Sequence, residues 1–277
     1  MNGPENHKFI FLCGLHKSGT SPLFKILREH RDIAGFRDTG VPEDEGQHLQ
    51  SVFATAKVWG GPGRFGFAAE AHLTEESPLN TSRNKQKLFD EWSRYWDLDK
   101  RYLLEKSPPN LIKTRFLQAV FADSYFVVIM RHPVVVSLAT LKWSGSSLDE
   151  LLEHWVYCHR LFRKDCPHLR RVRIVKYEDL ICATDRELAG IYAFLGLEKQ
   201  PVAPLAPSGN DLYFRAWQQL LELPGRQRAL REIIEKYEEQ VKSFDYSLID
   251  CPLAEPTSGA FEKGLEVGHL KLTKHSL

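Results

Sequence analysis

The chain has 277 residues, of which 43% are hydrophobic and 26% are charged. These proportions are typical of a folded globular protein and exclude collagen-like, low-complexity and largely disordered chains. The formal net charge of +1 gives no bulk attraction to phosphates, so we expect neither a nucleic-acid partner nor a membrane partner. The length suits one domain over residues 1–277, with a core at 8–200 and a helical extension and tail at 201–277.

The cysteines and the N-terminal residues both indicate the cellular compartment in which we expect the protein. The five cysteines are an odd number, are scattered and form no C-x-x-C pair, which predicts free thiols in a reducing compartment. The first eight residues, MNGPENHK, are polar and lead directly into an apolar run, with no signal peptide or membrane span before it. We therefore expect a cytoplasmic protein.

The first predicted strand, turn and helix lie between Phe9 and Leu27. Phe9 to Gly14 have the length and apolar character of a buried parallel strand. A turn rich in Gly, Ser and Thr follows, and Pro22 suits the first turn of a helix capped by Ser21 or Thr20. A glycine-bearing turn that leads into a helix N-terminus predicts an anion site, because backbone N–H groups and the helix dipole converge there.

The residues of this turn indicate how such an anion site would be used. Gly14, Gly19 and Ser21 keep the spacing of a nucleotide-hydrolysing P-loop, but Thr20 stands where that loop has its lysine. The cation is Lys17 instead, inside the loop, where it can reach a bound anion from the side on which a group would be transferred. No acidic strand end typical of a magnesium site accompanies it.

The segment His16-Lys17-Ser18-Gly19-Thr20-Ser21 resembles the P-[RK]-S-G-T-[ST] loop of sulfotransferases, with His16 in place of the leading proline. The resemblance implies that residues 16–21 bind the 5′-phosphosulfate of 3′-phosphoadenosine 5′-phosphosulfate (PAPS). It also implies that Lys17 balances the charge that develops on the bridging oxygen.

A second segment of the same family's pattern follows a predicted strand, Arg101 to Lys106. The sequence E-K-S-P at its end resembles the family's E-K-[ST]-P, in which the lysine points at the transfer site. Lys106 is therefore a candidate catalytic residue, and the alternative is a surface lysine before a turn. Asn110 is predicted to cap a helix from Leu111 to Phe121.

A third segment follows the apolar run from Tyr125 to Met130, which predicts a buried strand. Arg131 at its end resembles the arginine of the family's 3′-phosphate site, and a guanidinium can bind a phosphate through two hydrogen bonds. The family's serine usually comes eight residues later. Here Ser137 comes six residues later and Thr140 nine, and both remain candidates.

The fourth segment is a strand from Val172 to Lys176 that leads into Y-E-D-L, followed by F-L-G-L ending at Leu197. In sulfotransferases the tyrosine of this pattern lies near the cofactor, which makes Tyr177 a candidate contact. The four segments occur in the family's order over Phe9 to Leu197. They imply a P-loop-like, three-layer α/β/α fold with a central parallel sheet and extra C-terminal helices.

An acidic stretch after the first helix supplies candidates for a general base, which transfer to a hydroxyl requires. Glu45-Gly-Gln-His48 resembles the K-E-x-H-F segment of heparan-type sulfotransferases, so Glu45 ranks first and His48 second. Glu43 and Asp38 follow. The alternative is a solvated acidic loop.

Other features concern packing. Capping boxes are predicted at Ser147–Glu150 and Thr184–Glu187, and an amphipathic helix at Arg226–Phe244. An irregular insertion at Ser51–Thr81 is the predicted acceptor-facing segment, and residues 258–264 are either a cover over the cofactor or a mobile tail. An aromatic face suits core packing better than an acceptor wall; it comprises Leu88, Phe89, Trp92, Tyr95 and Trp96.

The resemblance and the residues together predict an enzyme that moves a sulfuryl group from PAPS to a hydroxyl of a small molecule or carbohydrate, without a metal. Two alternatives remain at this point: a P-loop kinase, and a non-catalytic nucleotide-binding member of the same fold. The sequence does not indicate the acceptor or the oligomeric state.

Overall fold

A computed structural model describes residues 3–142, 144–201, 205 and 209–251 of the chain. Five parallel strands form one sheet in the order β2-β3-β1-β4-β5. They are β1 (Lys8–Gly14), β2 (Ile33–Gly35), β3 (Tyr102–Lys106), β4 (Ser124–Met130) and β5 (Val172–Lys176). The predicted α/β class with a central parallel sheet is confirmed.

The three central strands are buried on both faces. Every residue of β3 and β4 and all of β1 except Lys8 are buried, and successive residues of a strand point to opposite faces. Layers of helices therefore cover both sides of the sheet, as expected for parallel strands with continuous apolar runs. The edge strand β5 is more exposed.

Nine α-helices accompany the strands in the described ranges. They are α1 (Thr20–Leu27), α2 (Ser82–Trp92), α3 (Thr114–Val120), α4 (Pro133–Leu141), α5 (Leu148–Asp165), α6 (Tyr177–Cys182), α7 (Thr184–Leu195), α8 (Asn210–Glu222) and α9 (Gln227–Lys242). Short 3₁₀ turns, including Ala56–Trp59, Phe65–Phe67 and Ala69–Ala71, make up the predicted irregular insertion.

The aromatic face after residue 87 packs in the core, as predicted. Helix α2 ends at Trp92, and the chain then turns so that Trp96 is also buried while Tyr95 stays partly exposed. The Trp96 ring stacks on Phe36 at a centroid distance of 5.0 Å, and Phe9 meets it edge-on at 6.0 Å.

Three predicted helix starts were wrong. The N-cap of α1 is Gly19, not Thr20 or Ser21, because the helix begins at Thr20, two residues before Pro22. Asn110 lies inside a 3₁₀ turn and donates its amide to Glu105 instead of capping a helix. Thr184 is the first residue of α7, so its hydroxyl caps nothing and donates weakly to the Ile181 carbonyl at 3.5 Å.

The predicted C-terminal helix is confirmed as α9, and α8 is a second helix that the sequence pattern did not single out. Helix α8 packs on α4, and α9 packs on α5. The predicted cover at 258–264 lies outside the described residues. All five cysteines are free, as predicted. In the parts of the chain that the structure describes, we found no helix with the length and apolar character needed to cross a membrane.

The capping box at the start of α5 gives a test of this part of the fold. Ser147 Oγ accepts the Glu150 N–H at 3.2 Å, and Glu150 Oε2 accepts the Ser147 N–H at 2.7 Å. We expect Ser147→Ala to lower the free energy of unfolding by about 1 kcal/mol in urea denaturation. Thr184→Ala is the matched control and should stay within about 0.5 kcal/mol of wild type. Equal losses in both variants would contradict the assignment.

Candidate functional site

A cavity of about 300 Å³ opens at the carboxyl ends of the central strands, where ligands of open parallel sheets bind. Five segments meet there, one after each strand: the loop after β1, the acidic loop after β2, the turn after β3, the residue after β4 and the first residue of α6 after β5. The lining residues are His16, Lys17, Gly19, Thr20, Ser21, Pro22, Glu43, Glu45, Pro108, Arg131 and Tyr177.

The loop between β1 and α1 is held in a shape that only certain residues allow. Gly19 has φ of 101°, and a Cβ there would lie 2.3 Å from Tyr177 Cδ2, so both the backbone and the neighbour require glycine. Lys17 also has a positive φ, of 68°. Ser18 is buried, and both its N–H and its hydroxyl donate to the Leu15 carbonyl, at 3.1 and 2.6 Å. Its side chain therefore fixes the loop and does not line the cavity.

Arg131 lies over this loop. Its Nη1 donates to the Lys17 carbonyl at 2.9 Å, and its guanidinium stacks on the Tyr177 ring at 4.1 Å from the centroid. Nε and Nη2 both donate to Asn210 Oδ1, at 2.8 and 2.6 Å. The structure thus brings Lys17, Gly19, Arg131 and Tyr177 together, as the sequence predicted, at one end of the cavity.

Glu45 and Lys106 meet at the end of β3, which lies across β1 from β4 and Arg131. Lys106 is fully buried, and its Nζ donates to the Glu43 carbonyl at 2.7 Å and to Glu45 Oε1 at 3.3 Å. Gln47 donates its amide to Glu45 Oε2 at 2.6 Å. Lys106 is therefore not a surface lysine. In this conformation it holds the acidic loop and does not itself line the cavity.

The other candidate bases differ from Glu45 in their position relative to the cavity. His48 Nε2 is 3.9 Å from Glu45 Oε2, and His48 is not among the residues that line the cavity. Glu43 lines the cavity and has a positive φ of 54°. Asp38 does not line it. Glu45 is thus the candidate base that combines a place on the cavity with a fixed, cation-paired carboxylate.

Ser137 and Thr140, the two candidates for completing a 3′-phosphate site, lie away from Arg131's cavity. Both face an enclosed space of about 10 Å³ behind the loop, which His16 also lines. Ser137 Oγ and His16 Nδ1 have no hydrogen-bond partner in the described part of the chain. Burial, followed by the charges of Lys106 and Lys17, lowers the pKa of His16 to about 3, so its imidazole is neutral at physiological pH.

Glu105 is a functional candidate that sequence reasoning missed. It is buried beside Lys106, accepts the Ser107 hydroxyl at 2.6 Å, and accepts the Asn110 amide. Ser107 Oγ in turn accepts the Gln47 N–H at 2.9 Å. This carboxyl therefore fixes the backbone two residues after Glu45. An acidic residue inside an otherwise apolar buried strand was the available signal.

Gly46 shows how closely the acidic loop packs on β3. A Cβ at Gly46 would lie 2.4 Å from Glu105 Oε1, so glycine is required for the approach. The Gly46 carbonyl accepts the Trp92 indole N–H at 2.9 Å. Within the described ranges, no group of three or more His, Cys, Asp or Glu side chains has the geometry to hold a metal ion.

The titration of Glu105 gives a test of this buried network. Burial raises the pKa of Glu105 from 4.5 to about 7. Because the folded state holds this proton more tightly than the unfolded chain, the stabilisation is complete below pH 4.5 and is lost as the pH rises through 7. Glu105→Gln keeps the group neutral. Its unfolding free energy should therefore rise relative to wild type by up to about 3 kcal/mol between pH 5 and pH 8.

The measurement is urea denaturation of both proteins across that pH range. Glu70→Gln, which changes an exposed carboxylate, serves as the control for a general effect of removing one negative charge. A wild-type and Glu105→Gln difference that does not vary with pH would show that Glu105 is not protonated by burial.

The sequence profile of the Sulfotransferase family matches residues 10–201. Protein-tyrosine sulfotransferase 2 of Gallus gallus is 23% identical over 197 residues, a match that covers 68% of this chain and 51% of the relative. The chain thus spans about half the length of this curated relative.

Two solved structures share the fold, each with a TM-score of 0.50. A sulfotransferase from Alicyclobacillus acidocaldarius is 15% identical, and the match covers 86% of this chain and 95% of that one. A sulfotransferase from Mycobacterium avium is 14% identical, with 87% and 78% covered. The family profile spans well over half of the chain and includes every loop that lines the cavity, and this protein therefore belongs to the sulfotransferase family.

Proposed function

We propose that this protein transfers a sulfuryl group from PAPS to a hydroxyl of a small-molecule or carbohydrate acceptor. The observation that carries the proposal is one cavity lined by Lys17, Arg131 and Glu45, with Arg131 on the β4 side of the central strand β1 and Glu45 on the β3 side. Cations at one end suit an anionic donor. A carboxylate across from them suits a hydroxyl that must lose its proton.

The donor end fits the 5′-phosphosulfate group of PAPS. Gly19 leaves α1 without a side-chain cap, so the first-turn N–H groups and the positive end of the helix dipole face the cavity. We assign residues His16 to Ser21 to the 5′ group. Within that loop Ser18 acts through its structural hydrogen bonds, and Lys17 balances charge on the oxygen that leaves.

The 3′-phosphate is assigned to Arg131. Three of the five guanidinium N–H groups account for its hydrogen bonds to Asn210 and Lys17, which leaves donors for a phosphate. Tyr177 supports the guanidinium face. Ser137, and Thr140 as the other choice, would complete the site only if α4 presented its hydroxyls to the open cavity.

At the acceptor end, a side chain takes the proton that the acceptor hydroxyl loses. Glu45 takes the proton of the acceptor hydroxyl as the new O–S bond forms and the bond from sulfur to the phosphate oxygen breaks. Lys106 keeps the carboxylate in place through its 3.3 Å contact and adds positive charge near the transferring group. His48, 3.9 Å from Glu45, is the second choice for the base.

The fixed carboxylate of Glu45 favours one class of acceptor over another. The name of the Gallus gallus relative indicates a protein tyrosine as its acceptor. A phenol is already acidic and needs little help from a base, whereas an aliphatic hydroxyl needs the fixed carboxylate that this cavity offers. We therefore place a carbohydrate or other aliphatic alcohol first.

Calorimetric titration with 3′-phosphoadenosine 5′-phosphate (PAP), the desulfated product, tests the donor. We expect PAP to bind without magnesium, and Arg131→Ala to weaken binding by at least roughly tenfold, because a charge-assisted contact to the 3′-phosphate is lost. Arg94→Ala, which removes an exposed arginine after α2, is the matched control and should bind as wild type does.

ATP with magnesium is the competing ligand in the same titration. A preference for ATP and magnesium over PAP would contradict the proposal and favour a phosphotransferase. Binding of PAP with no transfer from PAPS to any member of a broad hydroxyl panel would favour the non-catalytic member of the fold.

Lys17 provides a separate test of turnover. Loss of a cation that stabilises the leaving group should lower kcat by on the order of 100-fold or more in Lys17→Ala. Lys25→Ala, on the exposed face of α1, is the matched control for removing a lysine from this segment. A Lys17→Ala enzyme with kcat within a few-fold of wild type would remove Lys17 from the mechanism.

A further inference from the structure

The residue that holds Arg131 lies outside the part of the chain that the family profile matches. Asn210 is the first residue of α8, and the profile ends at residue 201. Its Oδ1 accepts two hydrogen bonds from Arg131, from Nε at 2.8 Å and from Nη2 at 2.6 Å. Asn210 is itself 5% exposed. The C-terminal helices are thus joined directly to the cationic end of the cavity.

Glu178 fixes which way the Asn210 amide points. The Asn210 amide nitrogen donates to Glu178 Oε1 at 2.9 Å. An ionised carboxylate only accepts hydrogen bonds, so the NH₂ group must face Glu178 and the oxygen must face Arg131. Glu178 is held in turn by the His132 N–H at 3.0 Å and by the Tyr246 hydroxyl at 3.0 Å.

The chemistry of the amide matters for what Arg131 can do. A carboxylate in direct contact with the guanidinium would cancel most of its charge and compete with an incoming phosphate. The Asn210 oxygen fixes the same two N–H groups with no formal charge. Glu178 lies on the other side of Asn210 from Arg131. Its carboxylate orients the Asn210 amide and does not contact the guanidinium.

We propose that Asn210 is a positioning residue that holds Arg131 with its charge available, so that selectivity for a 3′-phosphorylated nucleotide depends on α8. The inference rests on the proposed function. It adds that discrimination between PAP and AMP, which lacks the 3′-phosphate, is set by a residue of the C-terminal extension.

The experiment is calorimetric titration of PAP and AMP into the full-length wild type and two variants. Asn210→Ala removes the acceptor that orients Arg131, and we expect PAP affinity to fall by roughly tenfold or more with AMP affinity changed by less than about threefold. Asn210→Asp keeps an oxygen beside Arg131, adds a negative charge there and replaces the NH₂ group that donates to Glu178 with a second oxygen. We expect it to lose as much of the PAP preference as Asn210→Ala, or more.

The control is Asp211→Ala, which alters the next residue of the same helix. Asp211 has no hydrogen bond or ion pair within the described part of the chain, and the variant should keep the wild-type ratio of PAP to AMP affinity. Circular dichroism melts and AMP binding report on folding. If Asn210→Ala does not fold, the isosteric Asn210→Asp decides the outcome.

Two outcomes overturn the inference, and a third overturns the function on which it rests. An unchanged PAP to AMP ratio in Asn210→Ala would show that Arg131 needs no help from α8. A full PAP preference in Asn210→Asp would show that Asn210 has a purely structural role. A wild type that does not prefer PAP to AMP would instead reject the PAPS assignment itself.

Discussion

The buried ammonium group of Lys106 is the interaction on which the side of the cavity that carries Glu45 depends. It has no contact with solvent, and it joins the end of β3 to the acidic loop through the Glu43 carbonyl and the Glu45 carboxylate. A buried cation is costly unless its hydrogen bonds are made. If the loop that carries Glu45 moved away from the sheet, the Lys106 ammonium group would become exposed to solvent or would stay buried without a partner. Glu105 secures the same loop through Ser107. The loop is therefore held by the sheet although it has little regular structure of its own.

The two ends of the cavity are built by different means. At the end proposed for the donor the chain uses backbone, in the form of a turn with positive φ at Lys17 and Gly19 that leads into a helix N-terminus. At the end proposed for the acceptor it uses the buried ionisable side chains of Lys106 and Glu105. Backbone N–H groups suit the anionic donor that we propose for the first end, because they bind an anion without a side-chain charge. The proton exchange that we propose for Glu45 depends on the pKa of that carboxyl, which neighbouring side chains can shift.

The central sheet and the donor end were predictable from the sequence because their signals are local. An apolar run ends at a glycine or a charged residue, and parallel strands bring such ends to one edge, which is why Gly14, Lys106 and Arg131 converge as expected. Helix starts were predicted less well, since the cap depends on where the chain enters the helix and not on the residue types alone. The partners of Arg131 could not be predicted. Asn210 is 79 residues away, and no short pattern marks a contact of that kind.

The position of β1 in the sheet has a consequence for biosynthesis. Lys8 pairs with Tyr102 and Phe9 pairs with Ser124, so β1 leaves the ribosome about 100 residues ahead of the two strands it pairs with. Until those strands are made its apolar residues have no sheet to join, and parallel pairing over such distances is slow and prone to association with other chains. The residues of the loop between β1 and α1 are thus translated well before the sheet that fixes them. A nascent chain shortened before β4 would contain the whole loop sequence and yet lack the sheet that shapes it.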